Sequence, residues 1–256
     1  GLLSRQLRAR GVPSIAVEAP WAQEVNMTWA KELGVRIYLQ EFFTGDLSVI
    51  EEPVDCFILA HCIAHFRFSP YILMRKLYDA LPSGGYMFLS TVNAGSYMRV
   101  MQLFNGQHIS ERVPPKENPI FVERAKEWNR TGMQQIWDDW MHVKEYTLPE
   151  IKELFTATGF KIVKAEHRNN HPEWNRTFWK KNLAIKLKPN LADELVVVGD
   201  HLDHGGDASF ACAAADGGAA RGEVDEAQDI KDFVAAVRGG KVATLALPGA
   251  AAQKKA

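Results

Sequence analysis

The segment from Val54 to Asn93 constrains the fold of this chain more than any other part of its sequence. It contains an apolar run, VDCFILA, then His61 and His65, a helical stretch, a Pro-Ser-Gly-Gly turn and a second apolar run, YMFLS. An apolar run without polar alternation is typical of a parallel strand that is covered on both faces. Sheets built from such strands bind ligands beyond the carboxyl ends of the strands. We therefore expect an α/β protein with a binding crevice after these two strands.

Helical and strand patterns alternate along most of the chain, which predicts a doubly wound, mostly parallel sheet. The predicted strands are Ser14–Glu18, Val35–Gln40, Val54–Ala60, Tyr86–Ser90, Phe160–Ala165 and Leu195–Val198. The predicted helices are Leu2–Arg10, Trp21–Leu33, Pro70–Leu81 and Thr147–Thr158. The last helix has the clearest signals, since Thr147 is a typical N-cap, Pro149 and Glu150 suit the first turn, and Gly159 suits the end.

This order of elements resembles the class I S-adenosylmethionine (SAM) methyltransferases of the ubiquinone-biosynthesis type. The matching positions are Gly1, His65, the turn Leu81–Gly85 and the strand end Ser90–Asn93. Ala64 and Val92 depart from the Glu and Pro that are usual in the family. The resemblance covers about residues 1–198 and implies a Rossmann-like fold. Gly1 matches the last glycine of the loop after the family's first strand, so we expect a sheet that lacks this strand. The two strands beside it should then flank a gap or pair directly.

The resemblance implies SAM as the cofactor. Glu18 ends an apolar strand, where a carboxylate can accept hydrogen bonds from both ribose hydroxyls. The other positions that the resemblance assigns to SAM are Gly1, Ala19, Glu41, Phe42, Ala60 and His61. Glu41 and Phe42 would frame the adenine, with Asp46 as a rival carboxylate. Ala60 and His61 would face the methionine end.

An aromatic-rich insert, residues 94–146, follows the strand Tyr86–Ser90. The resemblance implies helices that cover the methyl acceptor, although the aromatic residues could equally form the core of a small helical subdomain. His142 in this insert and His65 are the candidate general bases, because a hydroxyl or ammonium acceptor must lose a proton. A structural role for His65, in the turn that follows it, stays open.

Composition narrows the class of protein. The chain is 46% hydrophobic and 24% charged, as in soluble globular proteins, and its net charge of −1 gives no general attraction to nucleic acid or anionic membranes. It has no apolar run of about 18 residues, the length that a membrane-spanning helix needs. Its three cysteines form no CxxC pair, which indicates reduced thiols and a cytoplasmic location.

The last part of the chain, residues 199–256, is rich in Gly and Ala, which predicts a partly disordered tail. Within it, Asp229–Val237 could form a helix and Lys241–Leu247 a strand. The residues from His201 to His204 resemble part of the metal motif of metallo-β-lactamases, but the first His of that motif is missing. We predict no metal site.

The predicted function is SAM-dependent transfer of a methyl group to a hydroxyl or amine of a small molecule. We expect no nucleic-acid or membrane partner, and a homodimer stays open. The alternative is an inactive methyltransferase-like fragment or binding module without the glycine loop for SAM. A nicotinamide-dependent dehydrogenase would share the carboxylate at Glu18, but not the Pro-Ser-Gly-Gly turn or the strand end at Asn93.

Overall fold

A computed structural model describes residues 2–18, 28–42, 44–109, 142–201 and 242–245. The helices in these ranges are α1 (Leu2–Ala9), α2 (Thr28–Leu33), α3 (Pro70–Ala80), α4 (Tyr97–Phe104), α5 (Leu148–Thr158) and α6 (Trp179–Leu187). The strands are β1 (Ser14–Glu18), β2 (Arg36–Leu39), β3 (Cys56–Ala60), β4 (Gly85–Val92), β5 (Lys161–Arg168), β6 (Glu194–His201) and β7 (Val242–Leu245). Short 3₁₀ helices span Leu47–Val49, Ile63–His65 and Pro189–Leu191.

The described strands form one sheet in the order β2-β1-β7-β3-β4-β6-β5. The first five of these run parallel, and β6 runs antiparallel between β4 and β5. Parallel strands end at the same edge of a sheet, so Glu18, Ala60 and Val92 all lie at the carboxyl edge. This arrangement confirms the predicted Rossmann-like, mostly parallel fold.

The centre of the sheet differs from our prediction of a gap or of direct pairing between β1 and β3. There, β7 lies between them, and Ala243 pairs with both Ile15 and Phe57. Two facing strand edges would leave rows of backbone N–H and C=O groups without partners, and an extended segment from elsewhere in the chain can pair with them. Part of the predicted tail therefore belongs to the sheet, and β6 also extends past residue 198 to His201.

The core lies on both faces of the sheet, as strand alternation requires. One face carries the strand residues Phe57, Leu59, Met87, Leu89, Leu195 and Val197, with Leu73 and Leu77 of α3 and Ile151 and Phe155 of α5. The opposite face carries Cys56, Ile58, Phe88, Val196 and Val198, with Leu7 of α1. Helices on both faces keep the strands buried, so polar ligands can reach the sheet at its carboxyl edge.

Helix α5 has the start and end that the sequence predicts. The Glu150 carboxylate accepts hydrogen bonds from the Thr147 backbone N–H at 2.8 Å and from its hydroxyl at 2.9 Å. Gly159 ends the helix at φ 114°, in the left-handed region that favours glycine. The start of α5 lies at the carboxyl edge, directly after the insert.

Some predicted segments fall outside the described residues. These are residues 21–27 of the predicted second helix, the predicted helix Asp229–Val237 and residues 110–141 of the insert. The described part of the insert contains α4 and the segment 142–146.

Candidate functional site

Glu18 ends β1 as a buried carboxylate. All five residues of β1 are buried, and Glu18 itself is 5% exposed. Its Oε2 atom is buried and has no hydrogen-bond partner among the described residues. Burial disfavours the charged form and raises the pKa of Glu18 to about 7. A carboxylate oxygen without a partner at a strand end is suited to accept a hydrogen bond from a ligand hydroxyl, so the predicted ribose contact fits the site.

The chain turns sharply after β3, at His61. This residue has φ 52°, a left-handed conformation that is uncommon for a residue other than glycine. Its backbone N–H donates to the Ser90 carbonyl at 2.9 Å, and its Nε2 lies 2.9 Å from Oε1 of the buried Glu194. The contact of Ala60 and His61 with the methionine end of SAM stays a prediction.

The residues predicted to frame the adenine have other contacts in this structure. Glu41 is exposed, and its Oε2 accepts hydrogen bonds from the backbone N–H and the hydroxyl of Thr44. Phe42 is buried in the core, with its ring centroid 6.3 Å from that of Phe66. Asp46 accepts a hydrogen bond from the Ser48 backbone N–H, which lowers the pKa of its carboxyl group. Their role toward adenine stays a prediction.

The two candidate bases, His65 and His142, are in contact. Their ring centroids lie 4.9 Å apart in an edge-to-face arrangement. His142 Nδ1 lies 2.9 Å from Glu145 Oε1, and Arg99 donates to both oxygens of the same carboxylate. The sequence thus identified two members of a four-residue cluster, which we call the histidine cluster: His65, Arg99, His142 and Glu145.

The histidine cluster lies at the carboxyl edge because segment 142–146 bridges two strand ends. The backbone N–H groups of Val143 and Lys144 donate to the Ala64 carbonyl, at 2.7 Å and 3.2 Å. At the other end, Ala94 N–H donates to the Tyr146 carbonyl at 2.9 Å. His142 therefore lies beside the loops that follow β3 and β4.

Charge in this cluster is balanced between Arg99 and Glu145. Burial alone would raise the pKa of Glu145, but hydrogen bonds from His142 and Arg99 together bring it below its usual value. The carboxylate thus stays ionised near neutral pH, and it can accept a hydrogen bond from His142 Nδ1 in the tautomer that is protonated there. A histidine oriented in this way has its proton-accepting lone pair on Nε2.

A pocket of about 670 Å³ adjoins the same edge. Its lining includes Asn93, Gly95, Leu148, Pro149, Lys152 and His167. The Asn93 amide is already engaged, since it donates to the carbonyls of Asn190 and Ala192 at 2.9 Å and 2.7 Å. Partial burial lowers the pKa of His167, which favours its neutral ring. The pocket is mostly apolar with polar groups on its wall, which suits a small organic molecule.

Sequence reasoning did not assign Arg99, Glu145 or Glu194 to the site. For Glu145 the sequence held a local signal, because it lies three residues after His142 and can reach the histidine ring. Glu194 gave no such signal, because β6 brings it to His61 from far along the chain. Gly1 and Ala19, which were predicted to contact SAM, lie outside the described residues.

The described ranges contain neither a metal centre nor a membrane-spanning helix. Within them, no group of three His, Cys, Asp or Glu side chains is arranged to hold a metal ion. None of the helices in these ranges has the length and apolar character needed to cross a membrane.

Comparison with solved structures finds several methyltransferases. An O-methyltransferase family 2 protein from Planctomyces limnophilus, solved with apigenin, is 12% identical, with a TM-score of 0.44 over 78% of this chain and 46% of that one. The methyltransferase SibL, solved in its apo form, is 17% identical, with a TM-score of 0.41 over 79% of this chain and 54% of that one. A SAM-dependent methyltransferase from Mesorhizobium loti is 15% identical, with a TM-score of 0.39 over 77% and 96%. The chain spans about half the length of the first two.

Comparison with protein families is more direct. No curated protein matches the chain significantly. The model of the family described as "Methyltransferase domain" matches residues 1–165, which run from α1 into β5. This match covers more than half of the chain and includes the ends of β1, β3 and β4, where the candidate site lies. The chain therefore belongs to the methyltransferase domain family, and its fold is that of the class I SAM-dependent methyltransferases.

Proposed function

We propose that this protein transfers a methyl group from SAM to a hydroxyl group of a small-molecule acceptor, with His142 as the general base. When bound, SAM supplies a methyl group that its sulfonium already activates. A hydroxyl acceptor still has to lose its proton, which a neutral histidine ring can accept. The observation that carries the proposal is the histidine cluster, in which Glu145 and Arg99 orient a histidine at the carboxyl edge.

Each member of the histidine cluster has a distinct part in this proposal. Glu145 holds the Nδ1 proton of His142 and stabilises the ring when it becomes positively charged. Arg99 keeps Glu145 ionised and fixes its position. His65 lies against the ring of His142 and limits its orientation. The arrangement is the pairing of a carboxylate with a histidine that other general bases use.

The chain also offers groups to hold the cofactor. Glu18 would accept hydrogen bonds from the ribose hydroxyls through the oxygen that has no partner among the described residues. The turn at Ala60 and His61 would contact the methionine end with its backbone. These contacts bring donor and acceptor together at one edge, and proximity is the main requirement of a methyl transfer.

We propose a small organic molecule as the acceptor, since a mostly apolar pocket of about 670 Å³ lies at the same edge, although the histidine cluster does not line it. An amine acceptor would use the same base, since an ammonium group also has to lose a proton. A cytoplasmic location belongs to the proposal too, and the two described cysteines, Cys56 and Cys62, support it because both are buried free thiols.

The proposal can be tested in two stages. Isothermal titration calorimetry with SAM comes first, with NAD as the comparison ligand. A panel of phenols, aliphatic alcohols and amines is then screened for production of S-adenosylhomocysteine. With the best acceptor, His142→Ala should lower kcat by about 10²–10⁴ while SAM affinity stays nearly unchanged. Added imidazole should restore part of the lost turnover.

Two matched variants separate the base from its surroundings. His142→Asn keeps a side-chain donor toward Glu145 but removes the base, so it should be as slow as His142→Ala. His171→Ala changes an exposed histidine outside the cluster and should leave turnover unchanged. Full turnover in both His142 variants would contradict the role of His142. Failure of the protein to bind SAM would favour the alternative of an inactive methyltransferase-like binding module.

A further inference from the structure

The strand at the centre of the sheet comes from a distant part of the chain. β7 follows β6 in sequence, yet it lies between β1 and β3 with parallel neighbours on both sides. Among the described residues, β7 forms the only ladder between a two-stranded half, β2-β1, and a four-stranded half, β3-β4-β6-β5. Without β7, the described strands would form two separate sheets.

The two halves carry different parts of the candidate cofactor site. Glu18 ends β1 in the smaller half, and Ala60 and His61 end β3 in the larger half. With β7 between them, β1 and β3 are two strand spacings apart, or about 10 Å. Direct pairing of β1 with β3 would halve this distance. The presence of β7 therefore sets the width of the crevice in which the proposed ribose and methionine contacts lie.

We propose that the groove between β1 and β3 is a docking site for an extended strand, that residues 242–245 of the same chain occupy it, and that their docking completes the SAM crevice. The first two parts depend on the sheet alone. The third part rests on the proposed function.

The sequence and the backbone pairing both support this occupant. The groove presents two parallel strand edges, and Ser14–Val17 and Cys56–Leu59 pair with the four residues of β7 in register. The segment Val242–Leu245 contains neither Gly nor Pro, and Val and Thr favour extended backbone. Residues 202–241 connect it to β6, which is ample length for the same chain to reach the groove.

Docking of such a short strand should be reversible. Four residues make few ladder hydrogen bonds, and a segment of this kind can open locally while the rest of the domain stays folded. A ligand that contacts both halves of the sheet binds more tightly when the crevice has its full width. Thermodynamic linkage then requires that SAM favours the docked strand and that docking raises the affinity for SAM.

The register provides a direct test of docking, because Val242 pairs with the native Cys56. In a Val242→Cys variant of the full chain, the two thiols would lie on adjacent strands about 5 Å apart at Cα, within the range of a disulfide. Diamide oxidises two such thiols to a disulfide and is itself reduced. Peptide mass spectrometry is expected to find a disulfide within one chain between Cys56 and the introduced thiol.

The matched control for this experiment is Ala243→Cys. It contains the same native cysteines, but in the register Ala243 pairs with Phe57, whereas Val242 pairs with Cys56. It should give no disulfide with Cys56. A disulfide that joins two chains would overturn the assignment of the occupant to the same chain. Equal yields in both variants would overturn docking in this register.

A second pair of variants tests the effect on the cofactor. Ala243→Pro removes a backbone N–H and distorts a central strand, so it should lower Tm by about 5 °C or more and weaken SAM binding about tenfold or more. Ala214→Pro, in the Gly- and Ala-rich segment, should change neither value. If Ala243→Pro leaves both values unchanged, docking is wrong. If it lowers Tm but leaves SAM affinity intact, the coupling is wrong.

These outcomes are separate from those of the proposed function. A protein that does not bind SAM at all would contradict the methyltransferase proposal, and the third part of the inference with it. The disulfide yield and the Tm of the proline variant would still decide whether residues 242–245 occupy the groove.

Discussion

At the scale of the residue, Glu18 has the most testable electrostatics in the site. Its pKa is raised from 4.5 to about 7 by burial, so the folded protein binds a proton there that the unfolded chain has already lost. Stability should therefore fall as pH rises from about 4.5 to about 7, by up to ~3 kcal/mol at higher pH. Urea denaturation from pH 5 to pH 8 measures this slope, and Glu18→Gln should flatten it.

The same ionisation should affect cofactor binding in the opposite direction. A carboxylate accepts hydrogen bonds from ribose hydroxyls better than a protonated carboxyl group does, so SAM affinity should increase from pH 6 to pH 8. Glu18→Ala should weaken binding by about 1–3 kcal/mol at pH 8. Glu51→Gln, which changes an exposed carboxylate, is the control. Calorimetry that gives equal SAM affinity for Glu18→Ala and the native protein would remove Glu18 from the site.

Sequence reasoning could propose site residues that belong to a local pattern, and it missed residues whose contacts join distant segments of the chain. The sequence could propose Glu18 and His65 as site residues because Glu18 ends one apolar strand and His65 lies shortly after another, and the apolar pattern of each strand is local. Glu194 was missed because its partner, His61, belongs to a distant segment, and no spacing in the chain records the contact. Glu145 is an intermediate case, since its partner His142 is three residues away in the chain, whereas its partner Arg99 is 46 residues away.

At the scale of the element, Gly159 and Gly11 allow the cost of backbone strain to be separated from the cost of a steric clash. Both have positive φ, at 114° and 74°. A Cβ on Gly159 would lie 3.1 Å from the ring of Tyr78, whereas a Cβ on Gly11 would meet nothing within 4 Å. Gly11→Ala should thus lower the free energy of unfolding by about 1 kcal/mol from backbone strain alone. Gly159→Ala should cost about 2–3 kcal/mol in chemical denaturation.

Equal losses of unfolding free energy in the two glycine variants would show that Tyr78 moves aside at no cost.

The ends of α5 illustrate why this helix was predictable. Its start at Thr147 and its end at Gly159 depend on local backbone chemistry, which the sequence contains. For β7, the pattern of residues 241–247 predicted a strand, but strand type does not determine a pairing partner. Its place in the sheet follows from the exposed edges of β1 and β3, which are long-range features.

At the scale of the whole molecule, the two halves of the sheet should differ in protection from hydrogen exchange. The larger half contains β3, whose strand residues are nearly all buried, whereas β2 is an edge strand with no buried residue. Because β7 forms the ladder that joins β1 and β2 to the larger half in the described structure, opening of β7 should expose the β1 backbone first. Exchange measured by mass spectrometry should be faster in β1 than in β3.

Bound SAM should slow the exchange of β1 more than that of β4, since a ligand across the crevice stabilises the weaker half. The Ala214→Pro variant is a control for changes in the tail. Without SAM, exchange in β1 that is as slow as in β3 would contradict two halves of unequal stability.

The position of β7 also has a consequence for the order in which the protein folds. Its partners Ile15 and Ala243 are separated by most of the chain, and closing so long a loop has a high entropic cost. The contacts of β3, β4 and α3 are much closer in sequence and should form earlier, so the central strand should be the last to join. Until it does, the facing edges of β1 and β3 can pair with strands of other molecules. Refolding yield should therefore fall as protein concentration rises, because the innermost strand of the finished sheet is the one that arrives latest.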